Sequence, residues 1–372
     1  MGKKLLPIHG KRIKYSVIGL VLGLLLTAMT TACNVQNPPI ESYETFPQTT
    51  AMPDSSSGSV VSTPAVSENK EIIFKDVNFR NAVTQALGKK DFESILVSDV
   101  QQLTSFSARV CGIADISEII YFTNLESLDL KGNRITDLTP LGSLTKLKKL
   151  DISKNFTLLS GDREKGLNLA PIKNLVLLEE LNASGNMITD ISPLAGLACL
   201  RVLDVQNNRL TDLSALATCT GIESLNIASN YHLDATGLQE EGIADLRFVG
   251  NMSDLHTLIA SNNVIATLEG VEQLSKLKYV DITQNYVMSL EPLAGCANLQ
   301  TLLAENNNLL DLKALENHAA LEVLNVRINR IHYVPEILTM PALKEFQYEG
   351  NQILDYRPID QFEQEVANRA EG

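Results

Sequence analysis

The sequence predicts an α/β solenoid. We expect a right-handed superhelix with a parallel β-sheet on its concave side, short 3₁₀ or helical turns on its convex side, and a helical N-terminal cap. Two observations lead to this prediction: an apolar pattern recurs every 22 residues, and within each copy two apolar residues lie two positions apart, as on one face of a strand. Because one short strand cannot bury its apolar face alone, the copies must stack.

The repeated pattern is L-x-x-L-x-L-x-x-N-x-I/L, as in Leu125-Leu128-Leu130-Asn133-Ile135. A degenerate unit begins at Leu103, with Cys111 in place of the asparagine, and ten further units begin at residues 125, 147, 178, 200, 222, 255, 277, 299, 321 and 343. Successive units start 22 residues apart, except for steps of 31 after Leu147 and 33 after Ile222. We therefore predict a solenoid of about 11 units over residues 103–351, with insertions near 156–169 and 231–251.

Two polar positions of the unit are expected to be structural. The asparagine at position nine can satisfy backbone groups where each strand turns, because a buried amide both donates and accepts. An aspartate follows it by four positions in several units, and capping of the convex turn is a better explanation than an acidic ligand set. These aspartates are Asp137, Asp190, Asp212, Asp311 and Asp355.

The unit, with segments such as Ile135-Thr136-Asp137-Leu138-Thr139-Pro140-Leu141, resembles the leucine-rich repeats of the internalin type found on Gram-positive bacteria. Residues 74–89 resemble the helical cap of that family. Asp76 is a plausible N-cap and Gly88 a plausible C′ residue for the first cap helix, and Ser98 could cap a second one. The resemblance covers residues 72–355. It implies a cap over residues 71–102 and a family of surface binding proteins, and we expect residues 352–372 to cover the other end of the solenoid.

The N-terminus is typical of an exported protein. Residues 1–32 carry five basic residues and no acidic residue, followed by an apolar run too short for a comfortable membrane span. The sequence Thr30-Thr31-Ala32-Cys33 resembles the lipobox of bacterial lipoproteins, with threonine where leucine is commonest. The resemblance implies a signal peptide over residues 1–32 and lipidation of Cys33. An uncleaved anchor or a simple secretion signal is the alternative.

The segment over residues 33–70 is rich in Ser, Thr and Pro and predicts a disordered linker. Removal of the signal leaves 26 basic and 44 acidic residues, a net charge of −18. Such a balance argues against nucleic acid, whose phosphates need a basic surface. We expect an extracytoplasmic protein, lipid-anchored to the cell membrane at the cell surface.

No catalytic constellation is present in the sequence. It has no G-x-S-x-G, H-E-x-x-H, C-x-x-C or phosphate-binding glycine loop, and its histidines are scattered over different units. We expect no enzyme activity, no cofactor and no metal site. Calcium binding by the outward Asp and Asn residues is a weaker alternative, because no EF-hand loop accompanies them.

Function is therefore expected on the concave face. Its central position, the fifth of each unit, is Asp or Asn in the first half, while Ile259 and Leu303 interrupt that row in the second half. Apolar and aromatic residues among charges are typical of protein-recognition surfaces, although solenoid faces carry mixed residues in any case. The candidate contact residues are Lys148, Lys149, Asp151, Arg201, Asp204, His256, Ile259, Lys278, Tyr279, Asp281, Leu303 and Arg327.

These observations predict a monomeric surface lipoprotein that binds a protein or glycan partner through its concave face. The resemblance to internalins favours an adhesin directed at a host. The alternative is a sensor or scaffold subunit that regulates another envelope protein. The two insertions either add a second contact surface or are neutral variation.

Overall fold

The computed structural model describes residues 69–155, 166–234 and 236–371, and these form one long solenoid. Its main sheet has eleven parallel strands in the order β1-β2-β3-β4-β5-β6-β9-β10-β11-β12-β13. The strands are β1 Ser105–Ser107, β2 Ser127–Asp129, β3 Lys149–Asp151, β4 Glu180–Asn182, β5 Val202–Asp204, β6 Ser224–Asn226, β9 Thr257–Ile259, β10 Tyr279–Asp281, β11 Thr301–Leu303, β12 Val323–Asn325 and β13 Glu345–Gln347. The predicted solenoid fold is confirmed.

The register of the sheet places each residue opposite its equivalent in the next unit. Leu128 of β2 pairs with Leu150 of β3, for example. The same register continues across the second insertion, where Leu225 of β6 pairs with Leu258 of β9. The extra residues of that unit therefore lie outside the sheet and leave its pairing unchanged.

The core is a continuous stack of aliphatic side chains between the sheet and the convex turns. The leucines and isoleucines at positions one, four, six and eleven are almost all fully buried. At the N-terminal end Phe79, Phe106 and Phe122 pack together, with ring centroids 5.6–6.1 Å apart. Each buried aliphatic side chain contributes on the order of 1.5–3 kcal/mol, so the stack stabilises the fold without a cofactor.

The asparagines at position nine form the expected ladder. Asn133 accepts hydrogen bonds from the backbone N–H groups of Cys111 and Ile113 in the preceding unit, at 3.0 and 3.1 Å. Its amide donates to the carbonyls of Ala108 and Leu130, at 2.7 and 2.8 Å. Each such side chain thus satisfies buried backbone groups of two units at once, as the sequence predicted.

The convex side consists of short 3₁₀ segments over Ser117–Tyr121, Thr139–Ser143, Ala170–Asn174, Ser192–Leu194, Ser214–Thr218, Arg247–Asn251, Glu291–Leu293, Lys313–Leu315 and Pro335–Thr339. Four of the five aspartates expected to cap these turns do so, and the fifth, Asp355, instead caps the C-terminal helix that begins at Arg357. Asp137 accepts from the N–H of Thr139 at 2.8 Å, and the same bond recurs in the other four units. Capping, not ligand binding, is the role of this column.

The N-terminal cap has two helices, α1 (Val77–Ala86) and α2 (Val97–Gln101). Asp76 caps α1 by accepting from the N–H groups of Asn78 and Phe79, and Gly88 takes the left-handed backbone conformation after it. The expectation for Ser98 was wrong, because Leu96 occupies the N-cap of α2. Ser98 lies inside that helix and bonds to Asn69.

The other end of the solenoid is covered by α3 (Arg357–Glu371), which buries Ile359 and Phe362.

The second insertion contains a two-stranded antiparallel hairpin, β7 (His232–Leu233) and β8 (Glu240–Glu241). The predicted signal peptide, Cys33, the linker as far as residue 68, and residues 156–165 of the first insertion lie outside the described residues.

Candidate functional site

The open face of the sheet carries the side chains at positions three and five of each unit, because the residue between them points into the core. Seven candidate contact residues lie in the strands themselves: Lys149, Asp151, Asp204, Ile259, Tyr279, Asp281 and Leu303. Four others, Lys148, Arg201, His256 and Lys278, immediately precede a strand, and Arg327 follows one. The structure thus places all twelve predicted residues on or beside one surface.

The Asp and Asn residues at position five have a structural role that the sequence reasoning missed. In seven units their side-chain oxygen accepts from the backbone N–H two residues further on. Asp204, for example, accepts from the N–H of Gln206 at 3.0 Å. The sequence signal was the frequency of Asp and Asn, which accept such local bonds readily. Much of the polar row therefore supports the turn after each strand.

Ile259 and Leu303 depart from this role. Within the described residues, no side chain accepts from the N–H of Ser261 or Glu305, the groups that an Asp or Asn at these positions would bond. Tyr279 and Val323 lie on neighbouring strands of the same face. We call Ile259, Tyr279, Leu303 and Val323 the apolar patch; it spans β9 to β12, roughly 14 Å at the usual strand spacing.

The basic residues expected to form a positive cluster are mostly neutralised by glutamates of adjacent units. Lys148 pairs with Glu126 and Lys149 with Glu180, both at 2.7 Å. Arg201 lies 3.8 Å from Glu223, His256 lies 4.0 Å from the same carboxylate, and Arg327 lies 3.3 Å from Glu349. Among the described residues Lys278 has no ion-pair partner. The first half of the face is therefore an alternation of charges and not a positive patch.

The carboxylates in the first half of the face affect one another's pKa. Burial raises the pKa of Asp129, and the neighbouring Asp151 raises it further while Arg109, 3.0 Å away, acts against both. Burial also raises the pKa of Asp204, again with a contribution from Asp151. The cause is desolvation plus like charge, which both penalise the ionised form.

The hairpin of the second insertion is tied to the solenoid by a carboxylate between two tyrosines. The hydroxyls of Tyr231 and Tyr286 both donate to Glu240, the former at 3.2 Å. The bond to Glu240 raises the pKa of Tyr286 to about 12. His232 lies 3.0 Å from Glu241 across the hairpin. The hairpin is therefore joined to a unit two strands further along the sheet.

A second feature missed in the sequence is an exposed apolar stripe at position twelve, on the edge where the strands end. In the first half this position is threonine, at Thr136, Thr189 and Thr211. In the second half it is Met288, Leu310 and Leu354 in three of the five units, 57%, 51% and 66% exposed, and Ala266 and His332 in the other two. The change from threonine to long aliphatic residues in those three units was a visible signal. These three units are more apolar on their edge than the units with threonine.

The described residues offer little that could carry chemistry. Cys219 and Cys296 are buried free thiols, and burial raises the pKa of Cys296 to about 11, which makes it a poor nucleophile. No group of three or more His, Cys, Asp or Glu residues able to hold a metal ion occurs in the described part of the chain. A search of those same residues finds no helix with the length and apolar character needed to cross a membrane.

Comparison with known proteins agrees with this architecture. The family described as "Leucine Rich repeats (2 copies)" matches residues 123–161, 176–218 and 200–240. No curated protein matches the chain significantly. Among solved structures, an internalin (InlF) of Listeria monocytogenes is 26% identical, with a TM-score of 0.56 over 78% of this chain and 94% of the other. The chain carries leucine-rich repeats in an internalin-like solenoid.

Two further structures share the fold alone. A leucine-rich-repeat protein of Leptospira interrogans is 21% identical, with a TM-score of 0.60 over 72% of this chain and 66% of that one. The plant peptide hormone receptor RGFR1, solved in complex with RGF2, is 21% identical, with a TM-score of 0.55 over 70% of this chain and 41% of the receptor. The internalin-like solenoid therefore has relatives in fold among both bacterial and plant proteins.

Proposed function

We propose that the chain is a lipid-anchored, extracytoplasmic protein that binds a protein partner through its concave face. The fold supports a binding role, because a rigid sheet presents its side chains without a large ordering cost on association. The plant receptor with the same fold was solved with a bound partner, RGF2. A glycan is the second class of ligand that a polar concave face can accommodate.

The single observation that carries the proposal is the apolar patch. Seven units use position five to bond their own backbone, whereas Ile259 and Leu303 cannot form that bond and place half-buried aliphatic side chains on the open face. These side chains add nothing to the core, because the core-facing residue of each strand is its neighbour. Apolar and aromatic residues at the centre of a polar face are where binding energy concentrates in protein complexes.

The decisive variant restores the chain's own pattern in the patch. Asparagine at position five bonds the following turn at Asn182, Asn226 and Asn325. The double change Ile259→Asn and Leu303→Asn should therefore keep or slightly raise the melting temperature. It should lower partner affinity at least 30-fold, about 2 kcal/mol, as loss of a central contact does.

The partner is first to be captured with residues 33–372 carrying Cys33→Ser, against host-cell extracts and against extracts of the bacterial envelope. A host protein retained by the wild type and lost by the double variant favours an adhesin, and an envelope protein favours a sensor or scaffold. A matched control is Asn226→Asp on the polar half, which keeps its bond to Ala228 and should bind normally. Equal capture by the double variant and the wild type would remove the concave-face assignment.

The anchor is tested separately. In the native bacterium, Cys33→Ser should move the protein from the membrane fraction to the medium, because two acyl chains are needed for stable attachment. Radiolabelled palmitate should be incorporated by the wild type alone. Membrane retention of Cys33→Ser would instead favour an uncleaved anchor.

A further inference from the structure

The N-terminal cap exposes a group of large apolar residues that is separate from the concave face. Ile73, Val77 and Phe92 are 75%, 66% and 82% exposed, and Ile120 of the first convex turn is also exposed. Such exposure is costly in water and marks a contact surface when it is clustered. We call these four residues, with Lys70 and Lys75, the cap patch.

Four members of the cap patch line one pocket. This shallow pocket of about 270 Å³ is lined by Lys70, Ile73, Lys75 and Ile120, together with Glu71 and Glu118 among others. Phe92 belongs to the loop that pairs with residues 70–72. The N–H of Ile72 donates to the carbonyl of Ile95 at 2.8 Å, and the hydroxyl of Ser94 donates to Glu71 at 2.6 Å. The pocket therefore joins the start of the cap to the first convex turn, and the loop that carries Phe92 is bonded beside the start of the cap.

Lysines are interleaved with these apolar residues. The ammonium of Lys90 lies 5.9 Å from the centre of the Phe92 ring, and that of Lys75 bonds to the hydroxyl of Ser117 at 3.1 Å. Among the described residues Lys70 and Lys75 have no ion-pair partner. Lysines beside apolar and aromatic groups are typical of surfaces that touch the headgroup region of a bilayer.

Charge separates the cap from the rest of the chain. Residues 69–103 carry five basic and five acidic residues, whereas residues 104–372 carry 21 basic and 35 acidic residues. An anionic surface therefore repels the solenoid and does not repel the cap. Of the two ends, only the cap is compatible with contact with anionic lipid.

The position of the cap along the chain points the same way. Cys33 precedes residue 69 by 36 residues, so a fully extended connection spans at most about 120 Å. The strand β13 lies ten strand spacings beyond β1, roughly 48 Å. If Cys33 is lipidated, as proposed above, the cap is the part of the described structure nearest to the bilayer along the chain, and the charge of the two ends then decides which of them makes contact.

We infer that the cap patch contacts the surface of an anionic lipid bilayer. The apolar side chains enter the headgroup region, and Lys70, Lys75 and Lys90 lie near the lipid phosphates. The solenoid then stands away from the membrane, with the apolar patch of the concave face in its distal half. The lipid anchor at Cys33 holds the chain near the membrane, and contact through the cap patch fixes the orientation of the solenoid relative to the membrane.

The chain has no tryptophan, so one introduced residue reports its own surroundings. Phe92→Trp is made in residues 33–372 with Cys33→Ser, and an N-terminal histidine tag binds nickel-chelating lipids in vesicles containing phosphatidylglycerol. Its emission should shift to the blue and be quenched by brominated lipid chains. The matched control Leu354→Trp, at the opposite end and 66% exposed, should show neither change.

The tether keeps this experiment independent of lipidation. If Cys33 proved not to be lipidated in the bacterium, the result of the vesicle experiment would be unaffected. If the vesicle experiment failed, the proposals of a lipid anchor and of a concave-face binding site would both remain. Equal behaviour of the two tryptophans would overturn the inference. A blue shift of Phe92→Trp without vesicles would also overturn it, because residues 33–68 or a second copy would then cover the patch.

The lysines give a graded test. Vesicle binding of the untethered chain should fall about fivefold for Lys70→Gln and about fivefold for Lys75→Gln, which corresponds to about 1 kcal/mol per lysine near an anionic surface. Lys313→Gln on the convex side of the distal half is the matched control and should leave binding unchanged. Equal loss with Lys313→Gln would contradict a specific role for the cap patch.

Discussion

The first and second halves of the solenoid have the same backbone and different surfaces. From β2 to β6 the open face carries a row of Asp and Asn side chains bonded to their own turns, and in three of these units the edge carries threonine. From β9 to β13 the same positions include the apolar patch and the stripe of Met288, Leu310 and Leu354. Strand register is identical in both halves. Surface specialisation in this chain is thus separable from folding.

The largest loss of stability is expected when an asparagine of the ladder is replaced. This loss should be equal in the two halves, because the ladder runs through both. The side chain of Asn186 accepts from the N–H of Asn155, that of Asn307 accepts from the N–H of Val287, and each donates to two buried carbonyls. Replacement by alanine leaves those groups without partners, at about 1–3 kcal/mol each, so either variant should lower the melting temperature sharply. A clearly smaller loss for Asn307→Ala would show that the halves differ in their scaffold too.

Substitutions on the open face should instead lower the affinity for the partner by different amounts in the two halves. Tyr279→Ala removes the only aromatic side chain of the apolar patch and should weaken the partner complex about 30-fold, as for a central contact. The pair Lys148→Glu and Lys149→Glu, on the polar half, should weaken it about fivefold. The lysine changes should leave the melting temperature nearly unchanged, because exposed ion pairs contribute only up to about 1 kcal/mol. Tyr279→Ala should also leave it nearly unchanged, because Tyr279 lies outside the buried core. Isothermal titration with the identified partner measures both, and the reverse order would move the contact to the polar half.

The smallest effect concerns the carboxylates of the polar half. The pKa of Asp204 is raised in the folded state, so its folded form is more stable when protonated and loses stability as the pH rises above the usual value of 3.8. Asp204→Asn keeps an acceptor for Gln206 and cannot ionise. The variant should therefore be the more stable one at pH 7, and its advantage should shrink as the pH approaches 3.8. Melting curves between pH 4 and pH 7 measure this, and an advantage that grows on acidification would contradict it.

The repeat spacing was enough to predict the fold, because eleven equal units leave stacking as the one way to bury their leucines. The ladder and the turn caps followed from the hydrogen-bonding capacity of single residues such as Asn133 and Asp137. Ser98 was misjudged because the N-cap of the helix lies two residues earlier, at Leu96, and Asn69, distant in sequence, supplies the partner of Ser98. Contacts between segments far apart in sequence leave no local pattern to read.

The surface was predicted less completely than the core. The twelve candidate residues do share one face, but the sequence did not reveal that Lys148 and Lys149 are paired with glutamates of neighbouring units. It also presented the Asp and Asn row as a contact surface, although Asp204 and its equivalents bond their own backbone. Pairing between units depends on register, which becomes certain only when the strands are placed side by side.

Because the strands pair in parallel and in register, the length of this protein can change by whole repeat units. The strand residues of one unit face their counterparts in the next, so adding or removing 22 residues between Leu277 and Leu343 changes the rod by one strand spacing, roughly 4.8 Å, and leaves the strand register unchanged. A lineage that gains or loses a copy by unequal recombination thereby changes the separation between the two capped ends in fixed increments.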